Sequence, residues 1–167
     1  MTDRPEESEY TPFARGYVNG VEGAALVPAL NSQLSDFVTL AAALDGSYRY
    51  APGKWTVREL VGHVNDTERI FAYRTLCVGR GDQTPFPGFE QDDYIAGAGF
   101  NSRTLADLIE EFRVIRESSL CLVRQMPAGA WLRRGTVAGY RVTARGLAWT
   151  LAGHERHHYR ILREKYC

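Results

Sequence analysis

The stretch Thr143-Ala-Arg-Gly-Leu147-Ala-Trp-Thr-Leu151-Ala-Gly-His154-Glu-Arg-His157-His158-Tyr-Arg-Ile161-Leu162 decides the reading of the fold. Each residue of a helix advances by about 100°. At that spacing Leu147, Leu151, Ile161 and Leu162 form one apolar stripe, which predicts a helix over 144–165 with Thr143 as its N-cap. With Leu147 as the reference, His154 and His158 fall about 20° to either side of the stripe's centre. His157 falls about 80° away, so the wheel separates it from the other two.

The same periodicity recurs upstream. Leu26, Leu30, Leu34, Phe37, Ala41 and Leu44 predict a helix over 24–44, closed by Asp45-Gly46. Thr56-Val-Arg-Glu59 reads as a capping box, followed by the stripe Val57, Leu60, Val61, Val64 and Phe71 to about residue 78. Leu105, Leu108, Ile109, Phe112 and Val123 mark a third helix over 104–125, broken by Pro127 and Gly129. Residues 131–142 have room for a brief hairpin around Gly135 and Gly139. Residues 81–101 hold Pro85, Pro87 and Asp92-Asp93-Tyr94 without a sustained period, and read as a long loop of the functional kind. Residues 1–20, with Pro5, Pro12, Gly16 and Gly20 among many charges, read as an extended N-terminal arm, and 21–167 as the folded domain. Four helices with little strand signal predict an all-α four-helix bundle with long crossover loops.

Two imidazoles aimed into a core need partners, because burying an unsatisfied polar group costs about 1–3 kcal/mol. A metal ion satisfies His154 and His158 together; hydrogen bonds to carboxylates or backbone are the other solution. His63, at the flank of the second helix's stripe, reads locally as a boundary histidine. It is also the one histidine on a different long helix, and bundles build metal sites from facing helices. His63, His154 and His158 together would offer three neutral nitrogens and leave coordination positions open, the mark of a catalytic site. Glu68 stands near the centre of the second helix's stripe, where it needs either a ligand histidine's N–H or an arginine. Asp66, nearer His63, competes for the same supporting role. Glu155 points about 100° away from His154, so the His-Glu-x-x-His pattern of metalloproteases, with its base between the ligands, is missing.

Composition narrows the function. The chain of 167 residues suits one domain, and its 44% hydrophobic and 24% charged content is that of a soluble globular protein. Twenty Lys and Arg balance twenty Asp and Glu, leaving no net field to recruit nucleic acid or an acidic membrane. The N-terminus lacks the apolar core of a secretory signal, and no stretch approaches the roughly 18 apolar residues of a membrane span. Cys77, Cys121 and Cys167 are odd in number and widely spaced, which suits a reducing compartment. A cytoplasmic protein acting on a small molecule is the expectation.

Several segments together resemble the DinB-like superfamily in its metal-binding, YfiT-like branch. They are Tyr50-Ala-Pro-Gly-Lys-Trp55-Thr-Val-Arg-Glu-Leu-Val-Gly-His63, Asp66-Thr-Glu68-Arg, Phe71-Ala-Tyr-Arg74, Pro87-Gly-Phe-Glu-Gln-Asp-Asp-Tyr94, Ser102-Arg103 and Ala152-Gly-His154-Glu-Arg-His-His158. The resemblance implies an antiparallel bundle with a long crossover, often a homodimer, holding zinc or nickel on His63, His154 and His158. It further implies one of three activities: an enzyme joining a low-molecular-weight thiol to an electrophile or isomerising with a thiol's help, a metal-dependent hydrolase using metal-bound water, or a non-catalytic, stress-related metal-binding protein. The thiol transferase is the leading expectation. Asp66 and Glu68 are the candidate supporting carboxylates, and the loop 81–101 the candidate wall of the open face.

Overall fold

A computed structural model describes residues 3–167. Its helices are α1 (Arg15–Gly20), α2 (Leu26–Ala42), α3 (Val57–Arg80), α4 (Gln91–Ala98), α5 (Leu105–Gln125) and α6 (Ala144–Ile161), with a hairpin of β1 (Arg134–Val137) and β2 (Tyr140–Thr143). Three of the long helices start where the sequence supplies a cap. Thr56 Oγ1 accepts from Glu59 N at 3.1 Å while the Thr56 N–H donates to the Glu59 carboxylate at 2.7 Å. Thr104 and Thr143 cap α5 and α6 through the N–H groups of Asp107 and Gly146. Gly81, at φ 91°, closes α3 in the left-handed conformation. Beyond Ile161 the chain widens into a π turn, Leu162–Tyr166, which keeps Leu162 and Tyr166 buried.

Four long helices, α2, α3, α5 and α6, form the bundle. α3 packs against α5 and α6, and α2 packs against the same two, so α2 and α3 occupy one diagonal and α5 and α6 the other. Side-chain pairings give the directions. Asn65 meets Leu108 and Gly79 abuts Met126, so α3 and α5 run parallel. Val78 packs with Ala144 and Leu147, while His63 meets His154, so α3 and α6 are antiparallel. Parallel neighbours need a long connection, and residues 81–104 supply it. The four-helix bundle with long crossovers is thus the observed fold. No helix among the described residues is long and apolar enough to cross a membrane.

Two segments differ from expectation. The N-terminal arm is not extended: single helical turns at Glu7–Glu9 and Pro12–Ala14 lead into α1, which packs on α6. Tyr10, Ala14 and Val18 are buried at four-residue spacing, a stripe that Pro12 and Gly16 obscure in the sequence. Gly146 and Gly153, seven residues apart on α6, make the docking possible. A β-carbon on Gly146 would meet the Glu9 carbonyl oxygen at 2.0 Å, far inside contact distance. The loop 81–101 likewise contains α4, which periodicity could not reveal because none of its residues is buried. Asp92 and Asp93 in its first turn complement the helix dipole, and Gly99, at φ 64°, ends it. The expected hairpin is present, with Ala138 and Gly139 both at positive φ in its two-residue turn. Phe86 extends it by a backbone bridge to Val137.

Candidate metal centre

His63 is seven residues into α3, and His154 and His158 are one turn apart near the end of α6. Because the two helices are antiparallel neighbours, the three rings meet. His154 Nε2 lies 3.0 Å from His63 Nε2 and 3.2 Å from His158 Nε2. All three residues are buried, and among the described residues no fourth His, Cys, Asp or Glu joins the group. Aromatic rings hold the imidazoles in place. Trp55, the residue before the α3 cap, packs on His63 with centroids 4.8 Å apart, and Tyr17 of α1 meets His154 edge-on at 5.5 Å. Asn101 ties the end of the crossover to this corner, accepting from Thr56 Oγ1 and donating to Glu59.

Burial sets the charge state. It pushes His63 down to about 4, with Asp92 weakly opposing and His157 reinforcing. Burial again, then the neighbouring histidines, hold His154 and His158 well below the usual imidazole range. All three rings are neutral at pH 7. The His154 Nε2 carries either one hydrogen or one lone pair, so it cannot bond to both neighbours along good directions. The Nδ1 of buried His158 has no hydrogen-bond partner among the described residues.

A divalent ion fits this donor set. Metal–nitrogen bonds of about 2.0–2.1 Å place adjacent nitrogens about 2.9 Å apart at right angles and about 3.3 Å apart at the tetrahedral angle. The two observed separations fall inside that interval, and neutral imidazole is the ligating form. The interval spans the geometries of both zinc and nickel.

Two clefts border the three histidines. One, of about 510 Å³, is lined by His157 and His158 with Trp55, Lys54, Asp92 and Tyr166. The other, of about 310 Å³, is lined by His63 and His154 with Thr67, Phe71, Phe89 and Glu90. Phe13, Tyr17 and Gln91 line both. The segment 89–92 of the crossover thus forms part of the wall, together with α1, which sequence reasoning had left out.

The remaining candidates separate. The Glu68 carboxylate receives two bonds from buried Arg116, Nε at 2.7 Å and Nη2 at 2.8 Å. That ion pair is one of the two roles its sequence position allowed. Asp66 is paired with Arg69 at 3.5 Å, and burial, the largest influence on it, raises its pKa. Neither carboxylate has a hydrogen bond to a histidine among the described residues. His157 lies outside the cluster, against the Tyr17 ring at 5.2 Å. Glu155 is buried with neither oxygen hydrogen-bonded among the described residues, and burial pushes it up to about 8 against the pull of Arg116 and Arg156. Periodicity had placed Glu155 off the apolar stripe and gave no signal of burial there.

The DinB superfamily model matches residues 29–162, and the chain belongs to that superfamily. No curated protein matches the chain. Among solved structures, YfiT from Bacillus subtilis, described as a probable metal-dependent hydrolase with an unusual four-helix bundle topology, superposes with a TM-score of 0.70 at 14% identity. The alignment covers 96% of this chain and 89% of YfiT. A mycothiol-dependent maleylpyruvate isomerase superposes with a TM-score of 0.66 at 17% identity, over 80% of this chain and 57% of the isomerase. At these identities the likeness is one of fold.

Proposed function

We propose that this chain holds one divalent ion, zinc or nickel, on the Nε2 atoms of His63, His154 and His158, and activates a low-molecular-weight thiol for transfer to an electrophile. The observation that carries the reading is the convergence of three neutral nitrogens beside two clefts, with no fourth protein ligand among the described residues. The ion, when bound, supplies Lewis acidity that lowers the pKa of a thiol or water at its open position.

The chain's own residues supply the rest. Neutral histidines give up no proton on loading, so the site is ready at neutral pH. Trp55 and Tyr17 fix the ring planes and keep bulk water from two sides of the nitrogens. Thr67 lies one turn beyond His63 in the smaller cleft, and its buried hydroxyl has no hydrogen-bond partner among the described residues. It offers a hydrogen bond to a reacting group that enters there. Lys54 and Asp92 give the larger cleft charges of both signs and Gln91 adds a neutral amide, suited to the polar body of a small thiol. The smaller cleft, walled in part by Phe71 and Phe89, suits an apolar portion of the electrophile.

Hydrolysis by ionised water is the second reading, supported by the likeness to YfiT. Cobalt substitution followed by optical titration separates the two. Under the first reading a small thiol produces an intense thiolate-to-cobalt band, absent in His63→Ala. No band with cysteine, its glycosylated conjugates or a dithiol, together with ester turnover that His154→Ala abolishes, would overturn thiol activation in favour of hydrolysis.

A further inference from the structure

Beside the smaller cleft lies a third cavity, of about 230 Å³ and mostly apolar, that the chemistry above does not use. Its wall includes Val137, Val142 and Leu147, and the rings of Phe13, Phe71 and Phe89 line both it and the histidine cleft. One cation stands in this wall. Arg74 is 7% exposed, and its one hydrogen bond among the described residues runs from Nη2 to the Pro87 carbonyl at 2.7 Å. No carboxylate pairs with it among the described residues. Its guanidinium lies 5.7 Å from the Phe71 ring and 5.6 Å from the Phe89 ring. This contrasts with Arg116 and Arg156, the other buried arginines of the bundle among the described residues, which have Glu68 and Asp36. Burial lowers the Arg74 pKa, and the one opposing influence is Tyr94.

A buried guanidinium without a counter-charge is costly unless a ligand supplies one. We propose that Arg74 is a carboxylate-anchoring residue and that the cavity beside it takes the apolar body of the substrate, making the electrophile an aryl- or alkyl-substituted carboxylic acid. The placement fits the reacting end. His63 and Arg74 are eleven residues apart, about 20° from the same face of α3, and the arginine side chain leans back toward the helix N-terminus where His63 stands. Phe71 lies between, its ring 6.3 Å from the His154 ring. Phe71 borders both the guanidinium and the His154 ring, so a ligand held at Arg74 lies along the wall that this cavity shares with the histidine cleft. An apolar cavity of about 150 Å³ takes up benzene, so this one has room for a ring and a short chain.

The inference rests on the proposed metal-centred function only for what meets the far end of the ligand. The test is equilibrium binding of 3-phenylpropanoate and its uncharged analogue 3-phenylpropanamide to the full chain. Wild type should bind the acid about tenfold more tightly, the scale of a charge-assisted bidentate pair. The ratio should fall to near one in Arg74→Gln and persist in Lys54→Gln, whose amine lines the other cleft. It should also persist in His63→Ala, so failure of the metal reading leaves this result standing. Equal binding of acid and amide by wild type, which needs no variant to fold, overturns the proposal. So does a ratio that follows Lys54 rather than Arg74.

Discussion

A β-carbon on Gly153 would stand 2.2 Å from the carbonyl oxygen of Tyr17. The backbone of α1 therefore rests directly on α6, beside His154, with nothing between. Gly153→Ala must push α1 away or bend it. Overpacking of this kind costs about 1–3 kcal/mol. The expected result is a lower urea midpoint and loss of the Tyr17–His154 contact, read from the His154 ring resonances.

Glu68 and Arg116 test the centre of the bundle. Removing one partner of a buried ion pair strands the other charge and costs about 3–5 kcal/mol. Arg116→Met and Glu68→Leu should each lower stability on that scale. The double variant should be more stable than either single one, because no charge is left stranded. A double-mutant cycle by chemical denaturation gives the coupling directly.

Glu9 gives a pH prediction. Burial by itself raises its pKa, but bonds from Arg145, the Glu6 N–H and Thr143 outweigh burial and leave it below the ordinary glutamate value of 4.5. A depressed folded pKa stabilises above the unfolded value, and that contribution is lost as pH falls through the folded value. Glu9→Gln should cost about 1–3 kcal/mol at pH 7. The gap from wild type should narrow below pH 4.5, as measured by thermal unfolding across a pH series.

Metal loading is the direct check on the three histidines. Ligand binding to the native state alone stabilises by about 2.7 kcal/mol at a hundredfold excess over Kd. Added zinc or nickel should raise the melting temperature of metal-free wild type and leave His63→Ala and His158→Ala unmoved. Equal shifts in all three would place the ion elsewhere.

Phe89 tests the crossover wall. Phe86 is pinned to the hairpin through Thr136 and Ala138, so deleting the segment's tip would disturb the strands as well as the cleft. Phe89→Ala is the cleaner probe. Substrate saturation should weaken while bound metal, measured by elemental analysis, stays constant.

The bundle was legible because each long helix announces itself through an apolar stripe, and α3 and α6 through a threonine cap as well. The pair His154 and His158 was legible for the same reason, being part of such a stripe. His63 was legible by elimination, and by the family motif around it. What stayed hidden follows a different physics. Glycines on α6 receive the N-terminal segment, and a glycine displays no hydrophobic period. α4 buries no side chain, so its sequence carries no stripe. Arg74 carries no such signal in the sequence; only the tertiary arrangement shows that it is buried with no carboxylate paired to it among the described residues.

The contact between His63 and His154 spans 91 positions of chain. A contact of that range carries a larger loop-closure cost than a local one, and half of it belongs to the last helix of the chain. Under the proposed function the nitrogen cage therefore does not exist until the last helix has been synthesised and docked. Metal capture then acts as a checkpoint on assembly: an incomplete chain has no place to hold the ion, and a loaded one is latched across its two halves. Release of the ion should accordingly track the opening of α3 from α6 rather than the fraying of either helix, which ties the lifetime of the loaded state to the unfolding rate of the bundle itself.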